Sequence, residues 1–304
     1  MDDERSRPTR DGPRRRVLFA TNGEEPASKA ERLILQLADP SGIEVVVACV
    51  STFDMSLEVS ERLGLGGYSP EAGLKHAEHV VAEAASRFRE SGFQARSHVE
   101  EGDAPIQLLS LADREACEVV AVGAGHRRFG QAPVLGRTVR MLLHESDCSV
   151  LVVHDVAPEP RQHVVLVGTD GSQGADDALR SFASFADPAR SSVIVALAAR
   201  PSPERFRLGG RDETPEPMNP EASLARAVDM LQDAGFKCRS ELLRAHPSTA
   251  LLELAEREQV SMVVVGSRGL GRIHRLALGS VSDAVARYAD AAFIGRKRPE
   301  REPT

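Results

Sequence analysis

A chain of 304 residues, 41% apolar and 27% charged, has the material for about two globular domains. A net charge of −7 offers nucleic acid and anionic membranes no general attraction, so neither is expected as a partner. No apolar run approaches membrane-spanning length and the N-terminus lacks the apolar core of a signal peptide, which predicts a cytoplasmic protein.

Taken in order, the chain is one unit written twice, as 14–156 and 161–296, between tails at 1–13 and 297–304 that read as disordered. Arg15-Arg-Val-Leu-Phe-Ala-Thr-Asn22-Gly23 matches His163-Val-Val-Leu-Val-Gly-Thr-Asp170-Gly171, a short apolar strand breaking at a Thr-Asn/Asp-Gly turn. Helices follow at about 28–38 and 174–186, then second strands at Ile43–Val50 and Val193–Ala198. The segments 101–112 and 244–255 are parallel in composition and lead into the buried runs Val119–Val122 and Met262–Val265. Val150–Val153 reads as a fifth strand, and Ala291–Gly295, its counterpart, is less β-prone. Strands alternating with helices predict an α/β fold with parallel sheets covered on both faces. Two connections, 51–73 and 200–222, are long and rich in Gly or Pro, as expected of either lids or insertions. The linker 155–163 carries Pro158 and Pro160, which restrict domain placement.

The second unit contains Gly266-x2-Gly269-x9-Gly279-Ser280, between the strand Met262–Val265 and a helix in which Val281, Ala284, Val285 and Tyr288 recur at helical spacing. Strand, glycine loop and helix start form an arrangement that can hold phosphate, because amide N–H groups converge and the helix dipole favours negative charge. Gly266, Gly269 and Gly271 are expected to let the backbone take positive φ angles and approach a ligand without a Cβ in the way. Ser280, Ser282, Arg268, Arg272 and Arg275 are candidate further donors. The alternative is a glycine-rich turn that packs a helix on a sheet.

In this spacing, and over nearly its whole length, the chain resembles a tandem member of the universal stress protein family, in its ATP-binding branch. The resemblance implies two tandem doubly wound five-stranded parallel-sheet domains of strand order 3-2-1-4-5, with ligand at the switch point between strands one and four. It implies ATP, with Mg²⁺, held by Asp170, Gly266, Arg268, Gly269, Gly279, Ser280, Val281 and Ser282, with Asp170 near the ribose or a cation. Asp170 also fits an Asx turn, and Val195 to Ala198 could form an apolar adenine slot. The first unit departs from the pattern: Asn22 replaces the aspartate, His126 stands for the second glycine and Gly136-Arg137 for Gly-Ser. A bulky residue at a positive-φ position is costly, so this half is expected to be structural, although His126, Arg127, Arg128 and Arg137 could attract an anion. The fifth strand is the element that the family often uses for domain pairing; symmetrical pairing is doubtful here because 291–295 departs from the apolar ending.

Cys49, Cys117, Cys148 and Cys238 lack any C-x-x-C spacing and read as reduced packing residues. His76 and His79 have no companion ligands and read as surface residues; 168–172 lacks the spacing of a nucleophile elbow. With no paired carboxylates or activated nucleophile in view, the expected function is regulatory: ATP occupancy tunes conformation or association, as a homodimer or with an unidentified protein partner. A slow ATPase and an interaction module with a vestigial site are the alternatives.

Overall fold

The computed structural model describes residues 14–51, 70–125, 134–156, 162–198, 219–269 and 278–298. The first half runs β1 (Arg15–Ala20), α1 (Glu25–Leu37), β2 (Ile43–Ser51), α2 (Pro70–Glu90), β3 (Gln94–Glu101), α3 (Ala104–Arg114), β4 (Val119–Gly123), α4 (Arg137–Glu145) and β5 (Ser149–Val153). The second runs β6 (His163–Gly168), α5 (Gln173–Phe185), β7 (Ser191–Ala198), α6 (Pro220–Asp233), β8 (Lys237–Leu243), α7 (Pro247–Arg257), β9 (Met262–Gly266), α8 (Ser280–Tyr288) and β10 (Ala291–Gly295).

Each half has the order 3-2-1-4-5, and the halves join into one ten-stranded sheet, β3-β2-β1-β4-β5-β10-β9-β6-β7-β8. Pairing is parallel everywhere except at the seam, where β5 meets β10 antiparallel, Val153↔Ala291 through Val150↔Ile294. The doubt about symmetrical pairing is therefore corrected. Gly295 lies outside the seam register and pairs with Gly266 of β9, so its lack of a side chain does not interrupt the joint. A Cβ on Gly295 would collide with Ala178, which is why glycine ends this strand.

Alternation along each strand sends side chains to two cores. Val17, Phe19, Ala121, Leu151, Val167 and Phe293 face α1, α2, α5 and α6, whereas Leu18, Val120, Val150, Leu166 and Ile294 face α3, α4, α7 and α8. The first core runs unbroken across the seam, with Phe293 of β10 against Phe182 (6.3 Å between ring centroids) and Phe185 (5.7 Å) of α5. The C-terminal ends of α1 and α5 then exchange hydrogen bonds about the pseudo-twofold: Asp39 N–H donates to Phe185 O (3.1 Å) and Asp187 N–H to Leu37 O (2.8 Å).

Past β10 the chain returns to the first half. The Arg296 guanidinium donates to the carbonyls of Leu143 and Ser146 at the end of α4, and Arg298 donates to Ala112, Asp113 and Cys117 at the end of α3. Cations there satisfy carbonyls left over by the helix ends and oppose their negative dipole. Residues 297 and 298 of the expected tail thus lie in the described structure, whereas 1–13 and 299–304 do not.

Both long connections end in a helix whose first residue is proline, Pro70 of α2 and Pro220 of α6. Proline at that position loses no hydrogen bond, so residues counted with the connections belong to helices. The rest of both connections, apart from Ser51 and Asn219, lies outside the described residues.

Candidate site at the carboxyl edge of the second domain

Asp170 leaves β6 in a turn fixed by side chains. Thr169 Oγ1 accepts from Gly171 N–H (3.1 Å), Asp170 Oδ1 accepts from Ser172 N–H (3.0 Å), and Ser172 Oγ caps α5 by accepting from Ala175 N–H (3.2 Å). Gly171 takes a φ of +76°, which glycine adopts without strain. The first half builds the same turn with Thr21, Asn22 and Gly23 at φ +78°. Both the amide of Asn22 and the carboxylate of Asp170 make the turn; only the second adds a negative charge.

Gly266 and Gly269 do not have positive φ, which corrects the expectation for them; Gly271 lies outside the described residues. Their reason is close approach. A Cβ on Gly266 would stand 2.8 Å from Gly174 O, and one on Gly123 would collide with the backbone of Pro26. This glycine therefore seats α5 or α1 on the sheet in both halves, as the packing alternative has it. Gly269 differs: the atom its Cβ would strike is Asp170 Oδ2. Gly269 thus lies against the carboxylate of the first turn.

Hydrogen bonds bring the start of α8 back to the end of β9. Ser267 N–H donates to Gly295 O (3.0 Å), Gly279 N–H to Ser267 O (3.1 Å) and Ser282 Oγ to Gly266 O (2.7 Å). Ser282 is buried and its proton is engaged, so it anchors the loop. Gly279 is the N-cap residue of α8 and offers no side-chain cap to the helix's first amides, those of Ser280, Val281 and Ser282. A Cβ there would meet only ordinary contacts, 3.4 Å to Ser282 Oγ and 3.5 Å to Ser267 O. Ser280, Arg268 and Gly269 are exposed beside it, and Val281 is half-buried. Asp170, the loop and the α8 N-terminus therefore converge, whereas Arg272 and Arg275 lie outside the described residues. Val195, Ala196 and Leu197 are fully buried in the two cores, so of the expected adenine slot only Ala198 reaches the edge.

Two features escape the sequence. Arg226 of α6 donates to Gly171 O (2.9 Å) and to Asp176 Oδ1 (3.1 Å), placing a cation at the first turn. It comes from an amphipathic helix without a motif, so only the fold reveals it. In the first half, Arg137 forms a two-pronged pair with Asp103, 2.8 Å at each prong, and this arginine holds the Asp103 carboxyl below its ordinary range. The guanidinium expected to attract an anion thus already has one. His126, Arg127 and Arg128 lie outside the described residues.

His76 and His79 are exposed, and among the described residues no group of three His, Cys, Asp or Glu side chains could hold a metal. The four cysteines are free thiols; burial pushes Cys117 up to about 12 and Cys238 to about 11, so neither is a nucleophile at neutral pH. No described helix is long and apolar enough to cross a membrane.

The model of the universal stress protein family matches residues 13–154 and again 162–293. The chain belongs to the universal stress protein family. It carries two of the family's domains in tandem. A universal stress protein of Mycobacterium tuberculosis is 28% identical over 230 residues, 72% of this chain and 75% of that one. One from Mycobacterium bovis is 30% identical over 196 residues, 62% and 65% of the two chains. Among solved structures, a universal stress protein from Archaeoglobus fulgidus has a TM-score of 0.68 at 19% identity and covers 92% of this chain and 98% of its own, a likeness of fold.

Proposed function

We propose that the second domain of this tandem universal stress protein binds an adenine nucleotide, ATP with Mg²⁺, and that occupancy tunes conformation or association. The observation that carries the reading is the convergence of three elements at one strand edge. They are Asp170, the Gly269 loop packed on it, and the α8 N-terminus, whose N-cap Gly279 leaves the first amides without a side-chain cap. Uncapped amides at the positive end of a helix recognise phosphate oxygens. Asp170 can accept from sugar hydroxyls, or join phosphate oxygens and water around Mg²⁺, which keeps several waters and needs few protein ligands. Arg268, exposed beside the loop, adds positive charge near an anionic ligand, whereas Arg226 is paired with Asp176.

The reading is of a binding protein whose output is a change of state, such as self-association into a dimer or choice of a protein partner. Calorimetric titration with ATP and Mg²⁺ tests the binding; light scattering with and without nucleotide tests the output. Saturable binding that Gly279→Ala weakens supports the reading. Heat no greater than that of dilution refutes it.

A further inference from the structure

The pseudo-twofold that relates the halves is broken at one pair of positions, Gly42 and Arg190. They are counterparts by register. Arg15 N–H, opening β1, donates to Gly42 O, and His163 N–H, opening β6, donates to Arg190 O, 2.9 Å in each case. The same offset relates Leu37 to Phe185 and Asp39 to Asp187, the residues that exchange hydrogen bonds where α1 and α5 end.

Arg190 lies over the end of α1. Its Nη1 donates to Leu35 O (2.9 Å), and its Nε lies 3.4 Å from Asp187 Oδ2. A cation there satisfies a carbonyl left over by the helix and opposes the negative end of its dipole. At the end of α5 the counterparts of Leu35 and Gln36 are Ala183 and Ser184, and a glycine stands for the arginine. The Ala183 and Ser184 carbonyls accept no hydrogen bond from a described residue, because Asp187 N–H is given to Leu37 and Pro188 has none to give.

A cavity of about 630 Å³ opens at this place, lined by Leu179, Ala183, Ser184 and Met230 of the second half and by Gly42 and Glu118 of the first. The two cations at its rim are already paired, Arg15 with Glu118 (2.8 Å) and Arg180 with Asp177 (2.9 Å). Asp39, the counterpart of Asp187, adjoins Gly42: a Cβ on that glycine would lie 3.4 Å from Asp39 Oδ2. Asp39 Oδ1 accepts from the N–H and Oγ of Ser41, and among the described residues no cation pairs with this carboxylate.

We propose that this cavity binds a small cation of the alkylguanidinium class, whose guanidinium takes the place that Arg190 holds in the other half. The planar fork donates to the two unclaimed carbonyls of α5 and faces the Asp39 carboxylate, while the alkyl chain lies on Leu179, Ala183 and Met230. The cavity is at the amino-terminal edge of the sheet, where β1, β2 and β4 begin, whereas the candidate nucleotide site is at the carboxyl edge. The proposal therefore does not rest on the nucleotide reading.

The experiment is calorimetric titration of the full chain with butylguanidinium, and with butylammonium as the control that keeps the chain and changes the head. Wild type is expected to bind one butylguanidinium per chain and to bind butylammonium at least about tenfold more weakly, since an ammonium lacks the fork. Gly42→Arg supplies a tethered guanidinium, and its Cβ meets only ordinary contacts. Ala183→Leu fills the cavity from a half-buried helix position. Each should weaken butylguanidinium binding at least about tenfold, with folding checked by circular dichroism. No saturable binding by wild type, equal affinity for butylammonium, or undiminished binding by either folded variant overturns the proposal.

Discussion

Gly269 and Asp170 are packed so closely that Asp170 Oδ2 occupies the space of the Cβ that Gly269 lacks. The glycine loop after β9 and the turn after β6 thus meet through one carboxylate, and a substitution in the loop acts on both. Gly269→Ala is expected to displace the Asp170 side chain and lower nucleotide affinity tenfold or more, about 1.4 kcal/mol. Gly279→Ala separates ligand from fold: its added methyl finds only ordinary contacts, and Gly279 has φ −68°. The melting temperature should stay within about 2 °C of wild type while nucleotide affinity falls roughly threefold to tenfold, with fractions of a hydrogen bond to about one lost. Thermal melts beside titrations check both variants.

Gly123 and Gly266 make a matched pair. Each lets a helix backbone touch the end of a strand, and each would be overpacked by a methyl group. Gly123→Ala and Gly266→Ala should each destabilise by roughly 1–3 kcal/mol in denaturant unfolding. A large cost at Gly266 with none at Gly123 would show that the two positions differ in packing after all.

Much of this architecture was legible in the sequence because buried parallel strands announce themselves as apolar runs such as Met262–Val265, and because a repeated unit states its plan twice. The site was legible only in part. The spacing located Gly266, Gly269 and Gly279 together but gave Gly266 and Gly269 one reason, whereas Gly266 answers to Gly174 and Gly269 to Asp170; at Gly279, the helix start, a side chain would meet only ordinary contacts with Ser282 and Ser267. Partners distant in sequence, such as Arg226 on Gly171 or Asp103 on Arg137, leave no local pattern. The seam was misjudged at Gly295 because strand propensity does not reveal where the pairing register stops.

The continuous core across the seam predicts cooperative loss of both halves. Phe293 is fully buried in β10, opposite Leu151 of β5 and against two phenylalanines of α5. Phe293→Ala should cost about 3–5 kcal/mol. Fluorescence probes placed in each half should report one transition at a lower denaturant concentration. Two transitions, with the first half unmoved, would show the domains to be independent.

His163 gives stability a pH dependence. Burial, and then the nearby Arg190 charge, hold it below its ordinary value of 6.5, and it lies in the core side of β6 at 3% exposure. The unfolded chain therefore binds a proton that the folded chain resists, so stability falls as pH drops below about 6.5 toward the lower folded value. His163→Gln should flatten that part of the profile, read as denaturant midpoint against pH. An unchanged slope would assign the dependence to other groups.

The most direct test of the account is the number of nucleotides bound per chain. Only residues 161–296 combine the Asp170 carboxylate, the Gly269 loop and the Gly279 helix start, while in the first half Arg137, the first residue of α4, is paired with Asp103. Gly136→Ala, whose added methyl meets nothing within 4 Å among the described residues, should leave affinity and stoichiometry unchanged. Calorimetric titration of wild type with ATP and Mg²⁺ is expected to give one site per chain, weakened tenfold or more by Gly269→Ala and kept by Gly136→Ala. A stoichiometry of two, or none, would contradict it.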